Sequence, residues 1–561
     1  MKILGLNGWT VRGHDGGASL LVDGKLKFAI EEERLVGIRH AYDMVPQKSI
    51  EMILNTEQIS LNDIDKVAIG WNYPELWSMF GSSFMSKTEV SKVLFGTGAY
   101  SDKIEYVEHH IAHACSAFYP SGFDKALVLV LDGQGEYIAT SVFIGDRDSK
   151  SLRKVYETPI SLGYFYAAVT EHIGFHSGQE GKTMGLAPFG KPVYLKELKK
   201  YLYADEEGKL HCCFSIKKKS KDEEEETIDA WSKLLSKIVK KRCEGITDIN
   251  NDVVPYANLA ASCQKLLEEI LIKIVVFNCR KYNVKKVAIA GGVGLNCAAS
   301  GILSELPEVN EIFTQPAAND GGISLGAAIK IAIDYGETVK FEMIPYQGNS
   351  YSDAYIKEFV KKCKYEYIES KHPERDIAKL VANGNIVANF QGRLEFGPRA
   401  LGNRSLIADP RKMDMWIKLN NLKGRELWRP LAPAVLFEKQ GEFFESKKFS
   451  PYMTINSRIL KEKQKYLEAV THVDETARVQ SVTKEYNPRF YSIIKEFYYL
   501  TGIPVVINTS FNVKGEPIVA TPEKALKSAV AMKLDYLAIG NYIINLRSWK
   551  RGVSICLLLF L

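Results

Sequence analysis

The chain has 561 residues, of which 46% are hydrophobic and 25% charged, and a formal net charge of +6. Such a length exceeds what one hydrophobic core serves, so two large domains are expected, and the apolar fraction excludes disordered and fibrous classes. Basic residues are interleaved with acids, so charge predicts no nucleic-acid footprint, and nine scattered cysteines without a C-x-x-C pair fit a reducing cytoplasm rather than a disulfide framework.

The opening MKILGLNG reads as a first strand, not a signal peptide. Short apolar runs at 2–7, 17–22 and 25–31 predict three strands joined by turns. The rhythm returns at 126–132, 137–144 and 153–157. In both triplets an Asp with adjacent glycines, Asp15-Gly16-Gly17 and Asp132-Gly133-Gln134-Gly135, lies between the first and second strand. This duplication predicts two related halves around a cleft. Helices are expected at 161–173, 228–243 and 256–281 from hydrophobic periodicity. A strand at Val287–Ala290 follows, then the glycine-rich turn GGVGLNCAAS and a helix opening at Asn319-Asp320-Gly321-Gly322. The run KKKSKDEEEE, Lys217–Glu226, reads as a solvated loop. A boundary falls at the turn-rich Tyr346–Asp353, giving domains 1–346 and 353–561, the second with strands near 385–390, 404–408 and 504–507. The apolar tail Ser554–Leu561 is too short to cross a bilayer and reads as a buried or disordered end.

Two constellations carry chemistry. His109 and His113 are four residues apart, so a helix projects both from one face toward one cation. Asp132 ends a very apolar strand, where a carboxylate without a partner is costly, and Asp320 opens a helix. Two imidazoles and two carboxylates suit a borderline divalent ion such as Fe(II), Mn(II) or Zn(II). After Val287–Ala290, Gly291, Gly292 and Asn296 form a turn whose amides fit a nucleotide. In the second domain, FGPRALGNRS with Arg399 and Arg404, LKGRELWRP with Lys423, Arg425 and Arg429, then Arg478, and NTSFNVKGEP from Asn508, place basic residues in turns that suit a phosphate pocket.

In their order along the chain, GLNGWTVRGHDGGAS, HHIAH, LDGQGE, EGKTMGLAPFG, AGGVGLN, NDGG, FGPRALGNRS and NTSFNVKGEP resemble the nodulation-protein-U and antibiotic O-carbamoyltransferases. The resemblance implies an α/β fold: a duplicated actin/sugar-kinase-like (ASKHA) domain like the threonylcarbamoyl-transferases, followed by a YrdC-like domain. It implies His109, His113, Asp132 and Asp320 as metal ligands, Fe(II) foremost, with His14 beside the transferring group and Gly133 among the cleft glycines. It also implies that Lys423, Arg429 and Arg478 hold ATP, used with Mg, and carbamoyl phosphate. Asn508 and Ser510 would contact the nucleotide or the carbamoyl end, Met453 of SPYMTI would pack beside them, and Arg399 and Arg404 would join the wall. The expected reaction is formation of carbamoyl-adenylate and transfer of carbamoyl to a hydroxyl of a small-molecule acceptor, in the cytoplasm, with no nucleic-acid or membrane partner and a homodimer as one assembly state. Alternatives are a threonylcarbamoyl-adenosine enzyme of tRNA and a kinase-like ATPase. The first lacks a basic face here, and two histidines disfavour the Mg²⁺ that the second needs.

Overall fold

A computed structural model describes residues 1–9, 13–81, 83–213 and 223–549. The chain is mixed α/β and clusters into two units, Met1–Val36 with His40–Met343, and Gly37–Arg39 with Ile344 onward.

The first unit is built on two five-stranded sheets. One contains β1 (Lys2–Asn7), β2 (Gly17–Val22), β3 (Lys25–Glu31), β4 (Lys66–Ile69) and β5 (Ile104–Tyr106), in the order β3-β2-β1-β4-β5. The other contains β6 (Lys125–Leu131), β7 (Thr140–Asp146) and β8 (Ser151–Thr158). A small hairpin, β9 (Leu202–Ala204) with β10 (Leu210–Cys212), stands apart. The second sheet is completed by β11 (Lys286–Ala290) and β12 (Glu311–Thr314), in the order β12-β11-β6-β7-β8. Each large sheet is an antiparallel three-strand meander whose first strand also pairs in parallel with the first of two later strands. The strands β1, β6 and β11 are almost wholly buried, which is why they read as continuous apolar runs in the sequence.

Close backbone approach sets the helix layer. The helix Ile323–Asp334 packs on the helix His109–Phe118, and a Cβ at Gly326 would collide with the Ala112 carbonyl oxygen, so only glycine lets the helices meet here. The helix expected over 228–243 runs instead from Glu223 to Leu235. Beyond it the chain turns away, and Val239 O and Arg242 N bond to His172, Nε2 at 2.7 Å and O at 3.0 Å. Of the charged run, Lys217–Asp222 lies outside the described residues, as does the apolar tail.

The second unit holds a nine-stranded sheet made of β13 (Tyr365–Glu369), β14 (Val387–Phe390), β15 (Arg404–Ala408), β16 (Ala432–Leu436), β17 (Ile455–Arg458), β18 (Thr476–Val482), β19 (Val505–Ser510), β20 (Tyr536–Ile539) and β21 (Tyr542–Trp549). Its order is β13-β21-β20-β14-β15-β19-β16-β18-β17. A core including Val387, Ile407, Val435, Phe490, Ile493, Phe497 and Ile507 packs this sheet against helices. Among the described residues, no helix is long and apolar enough to cross a membrane.

Candidate functional site

In the first unit the polar groups gather beyond the carboxyl ends of parallel strands, where open α/β sheets bind ligands. Asn7 ends β1, Trp71 follows β4, His109 follows β5, Asp132 follows β6 and Gly291 follows β11. His109 and His113 share one face of the helix His109–Phe118, and both are fully buried. His109 Nε2 lies 3.1 Å from Asp132 Oδ2 and 3.7 Å from Asp320 Oδ1, while His113 Nε2 lies 3.6 and 3.5 Å from the same two oxygens. One donor atom from each of the four falls within 4.8 Å of all the others.

This set fits a divalent cation. His113 Nε2 is buried with no hydrogen-bond partner, yet it faces two carboxylates, a costly arrangement unless a cation completes it. Without an ion, protons do part of that work. Burial opposes charge on His113, but the facing carboxylates of Asp132 and Asp320 raise its pKa to about 9. Burial would raise Asp132, but His109 and His113 hold it well below the carboxylate range. Neighbouring groups fix the donors. The Glu136 carboxylate accepts from the His109 amide at 3.1 Å on both oxygens, and Trp71 packs on the His109 ring with centroids 3.7 Å apart. His110, left out of the donor set, is accounted for by Ser141, 2.8 Å from its Nδ1.

Two nucleotide expectations are corrected. The Gly292 amide donates to Asp132 Oδ1 at 3.1 Å, so it holds the carboxylate rather than a phosphate. The Asn296 side chain accepts from Ala299 N at 3.0 Å as a helix cap and pairs with Gln264 at 2.9 Å, so its amide is already used. Gly133 lies against Tyr164, whose ring would meet a Cβ there at 3.1 Å. Gly291 has φ +86 and abuts the Leu131 backbone.

His14 lies in the β1–β2 turn with its side chain 44% exposed, and its Nδ1 is 3.0 Å from Asp15 Oδ2. Burial lowers its pKa, but Asp320 and then Asp15 outweigh this and raise it to about 10. Sequence reasoning missed Asn7, whose Nδ2 donates to the carbonyls of Asp320 at 2.8 Å and Asp15 at 3.2 Å and so ties the His14 turn to the metal turn. Its position at the end of a buried strand was the available signal.

In the second unit, register places the expected pocket residues on one sheet face. Asn508 and Ser510 of β19 stand opposite Ile407 and Ser405 of β15, and Asn508 is also opposite Ala432 of β16. Gln480 of β18 pairs in parallel with Ala434, so Arg478, two residues earlier, is level with Ala432. Asn456 of β17 stands directly opposite Arg478. Residues opposite one another point to the same face, so Asn508, Arg478 and Asn456 form one polar row. Arg478 Nε, Asn456 Oδ1 and Asn508 Oδ1 are buried without hydrogen-bond partners. Asn456 was not anticipated, because only strand pairing brings it to Arg478.

Lys423 is 2% exposed, and its Nζ donates to Ser510 O at 2.6 Å, Asn512 O at 2.7 Å and Asn512 Oδ1 at 2.9 Å. Burial, then Arg425 and Arg429, press its pKa well below the lysine range. Burial, then Arg429 and Arg478, lower Arg425 to about 9. Arg39, in the tripeptide that belongs to this unit, adds to the repulsion on Arg425 and Arg429, and Glu426 offsets part of it. Cations crowded in this way are a binding surface for anions. Arg399 sits in a turn pinned by Glu395, whose Oε1 accepts from the amides of Leu401 at 2.9 Å and Asn403 at 2.8 Å, and by Asn508 Nδ2, which donates to Ala400 O at 3.1 Å. Met453 is buried with φ +57, a left-handed conformation unusual for its residue type. Arg404 is corrected. It alternates to the opposite sheet face from Ser405 and is fully buried over the Phe390 ring at 3.7 Å. Its guanidinium donates to the carbonyls of Gln391, and of Asn403 and Gly392 at 3.1 Å.

A four-donor cluster of nitrogen and oxygen thus lies in one α/β unit, and a polybasic sheet face in the other. Residues 79–329 match the carbamoyltransferase N-terminus model and residues 378–546 the carbamoyltransferase C-terminus model. The uncharacterized protein sll1178 of Synechocystis sp. is 33% identical over 97% of this chain and 96% of its own length. Nodulation protein NolNO of Sinorhizobium fredii is 32% identical over 96% of this chain and 80% of its own. The 3'-hydroxymethylcephem-O-carbamoyltransferase of Amycolatopsis lactamdurans is 36% identical over 41% of this chain and 42% of its own. The chain belongs to the O-carbamoyltransferase family and is a carbamoyltransferase.

Proposed function

We propose that this enzyme is an ATP-dependent O-carbamoyltransferase with one half-reaction in each unit. The observation that carries this reading is the convergence of His109, His113, Asp132 and Asp320 on one point within a carbamoyltransferase chain. In the second unit, carbamoyl phosphate and water give carbamate and phosphate. A carbamate oxygen then attacks the α-phosphorus of ATP, and pyrophosphate leaves. Lys423, Arg425, Arg429 and Arg478 neutralise the phosphates there, with arginine supplying paired donors and Ser510 and Asn508 bordering the same face. We assign Arg399, on its pinned turn, and Met453 to the same wall. This unit is then YrdC-like, and the matched sheets of the first unit are a duplicated ASKHA arrangement.

In the first unit the acceptor hydroxyl attacks the carbamoyl carbon and AMP leaves. The four donors would hold a divalent ion, iron(II) by preference over manganese or zinc, which when bound supplies Lewis-acid polarisation of an oxygen. His14 orients the carbamoyl group by donating from Nε2, Asp15 holds Nδ1, and Gly133 is assigned to the same cleft. The relatives named for a cephem hydroxymethyl group and for nodulation support a small-molecule alcohol as acceptor. Purified protein with ATP, Mg²⁺, carbamoyl phosphate and Fe(II) should release pyrophosphate only when carbamoyl phosphate is present, and AMP follows as the carbamoyl-adenylate passes its carbamoyl group to an alcohol or to water. ADP as the nucleotide product, or AMP without carbamoyl phosphate, would overturn the proposal.

A further inference from the structure

Two loops of the first unit, the β1–β2 turn and the segment after the helix Glu32–Val36, meet around one carboxylate. Asp15 Oδ2 is 3.0 Å from His14 Nδ1, and Asp15 Oδ1 is 2.8 Å from His40 Nδ1. A carboxylate only accepts, so each imidazole donates from Nδ1. Backbone bonds lock the same pair of loops, from Asp15 N to His40 O at 2.6 Å and from Asp43 N to Gly13 O at 2.8 Å. The His40 amide is held in turn by Glu33 Oε2 at 2.7 Å, and Glu33 by Arg34 at 2.8 Å.

The backbone is bent against preference to reach this arrangement. Asp15, His40, Ala41 and Asp43 all have positive φ, of 53, 64, 39 and 54°, although none is glycine. Such conformations cost energy and persist where surrounding structure imposes them, most often at functional sites. Here the strain serves one contact, the delivery of His40 to the far side of Asp15. The donor atoms of Asp15, Glu33 and His40 lie close enough to hold a cation. They are better accounted for by hydrogen bonds, because both Asp15 oxygens face imidazoles and Glu33 serves Arg34 and an amide.

We infer that Asp15 and His40 are positioning residues for His14: Asp15 dictates which ring nitrogen His14 keeps for the substrate, and His40 dictates where Asp15 stands. A histidine whose Nδ1–H is given to a carboxylate presents Nε2, in the manner of the acid in a serine-protease triad. A carboxylate bound on one side only can rotate. Bound on both, it cannot turn without losing a charge-assisted bond. The inference rests on the reading of His14 as the group that acts in transfer, and it adds His40, to which nothing else in the reaction assigns a role, behind the Asp15 contact.

The test uses the full-length, Zn(II)-loaded protein with ¹⁵N-labelled histidine. Nδ1–H protons bonded to a carboxylate resonate at low field and resist exchange, and His14→Asn and His40→Asn identify the two signals. Wild-type protein should show both, and Asp15→Ala should lose both. His40→Ala should lose or displace the His14 signal as well as its own, and His40→Asn, whose side-chain amide sits near the former Nδ1, should restore the His14 signal. Zinc stoichiometry and carbamoyl-phosphate-dependent pyrophosphate release equal to wild type in His40→Ala show that both units remain folded. An unchanged His14 signal in His40→Ala, or no low-field His14 signal in wild type, overturns the inference. Absence of carbamoyl-phosphate-dependent pyrophosphate release in wild type overturns the functional reading instead and leaves the spectroscopic result standing.

Discussion

His113 shows how a single residue records what the site is for. Both of its ring nitrogens are buried without hydrogen-bond partners, and its ordinary value of 6.5 moves to about 9 because two carboxylates outweigh burial. A pKa raised in the folded state means that the proton stabilises the metal-free fold fully below pH 6.5, and that this stabilisation is lost as pH rises through 9. Metal-free protein should therefore lose thermal stability between those values, and protein loaded with zinc should not, as followed by differential scanning calorimetry. A flat melting temperature in the metal-free protein would contradict the assigned cause. At this scale the donors were legible, since a four-residue spacing on a helix is a local geometric fact and Asp132 ends a visibly apolar strand. Asn7, Asp15 and His40 were not legible as partners. Their contacts cross loops far apart in sequence, and no periodicity announces them.

At the level of elements, strand register decides which side chains share a site. The first three strands were readable to the residue from their apolar runs, whereas β7 begins at Thr140 rather than 137 because the intervening segment turns beneath Asp132. Alternation along β15 sets Ser405 on the ligand side and Arg404 on the other, a distinction one residue wide that composition cannot register. The turn after β11 is equally exacting. Gly291 has φ +86, and a Cβ there would strike the Leu131 carbonyl oxygen, immediately before Asp132. Gly291→Ala should destabilise the fold by about 3 kcal/mol in urea unfolding and lower metal content, because the strand end that presents Asp132 must shift. Wild-type stability and metal content in this variant would show that the turn can yield.

For the molecule as a whole, each unit has its own sheets and its own cluster of functional side chains, so the two half-reactions should separate by mutation. His14→Asn should still release pyrophosphate when supplied with ATP and carbamoyl phosphate, yet fail to carbamoylate an acceptor. Lys423→Ala should reduce pyrophosphate release at least about a hundredfold, because Ser510 and Asn512 lose the buried group that holds them beside the arginines, and retain wild-type metal content. Pyrophosphate assays and metal analysis on the two proteins read both outcomes, and equal defects in both steps would count against the division of labour. The order of motifs along the chain made the carbamoyltransferase family readable, while the sheet pairings that bring each cluster together were not readable. The donors of the metal centre come from three stretches spread between His109 and Asp320, each beyond the end of a different strand or turn. No short peptide from this chain contains the set. An ion that needs all four donors would therefore be captured late in the life of a newly made polypeptide, and its uptake by a refolding sample would serve as a clock for completion of the first unit.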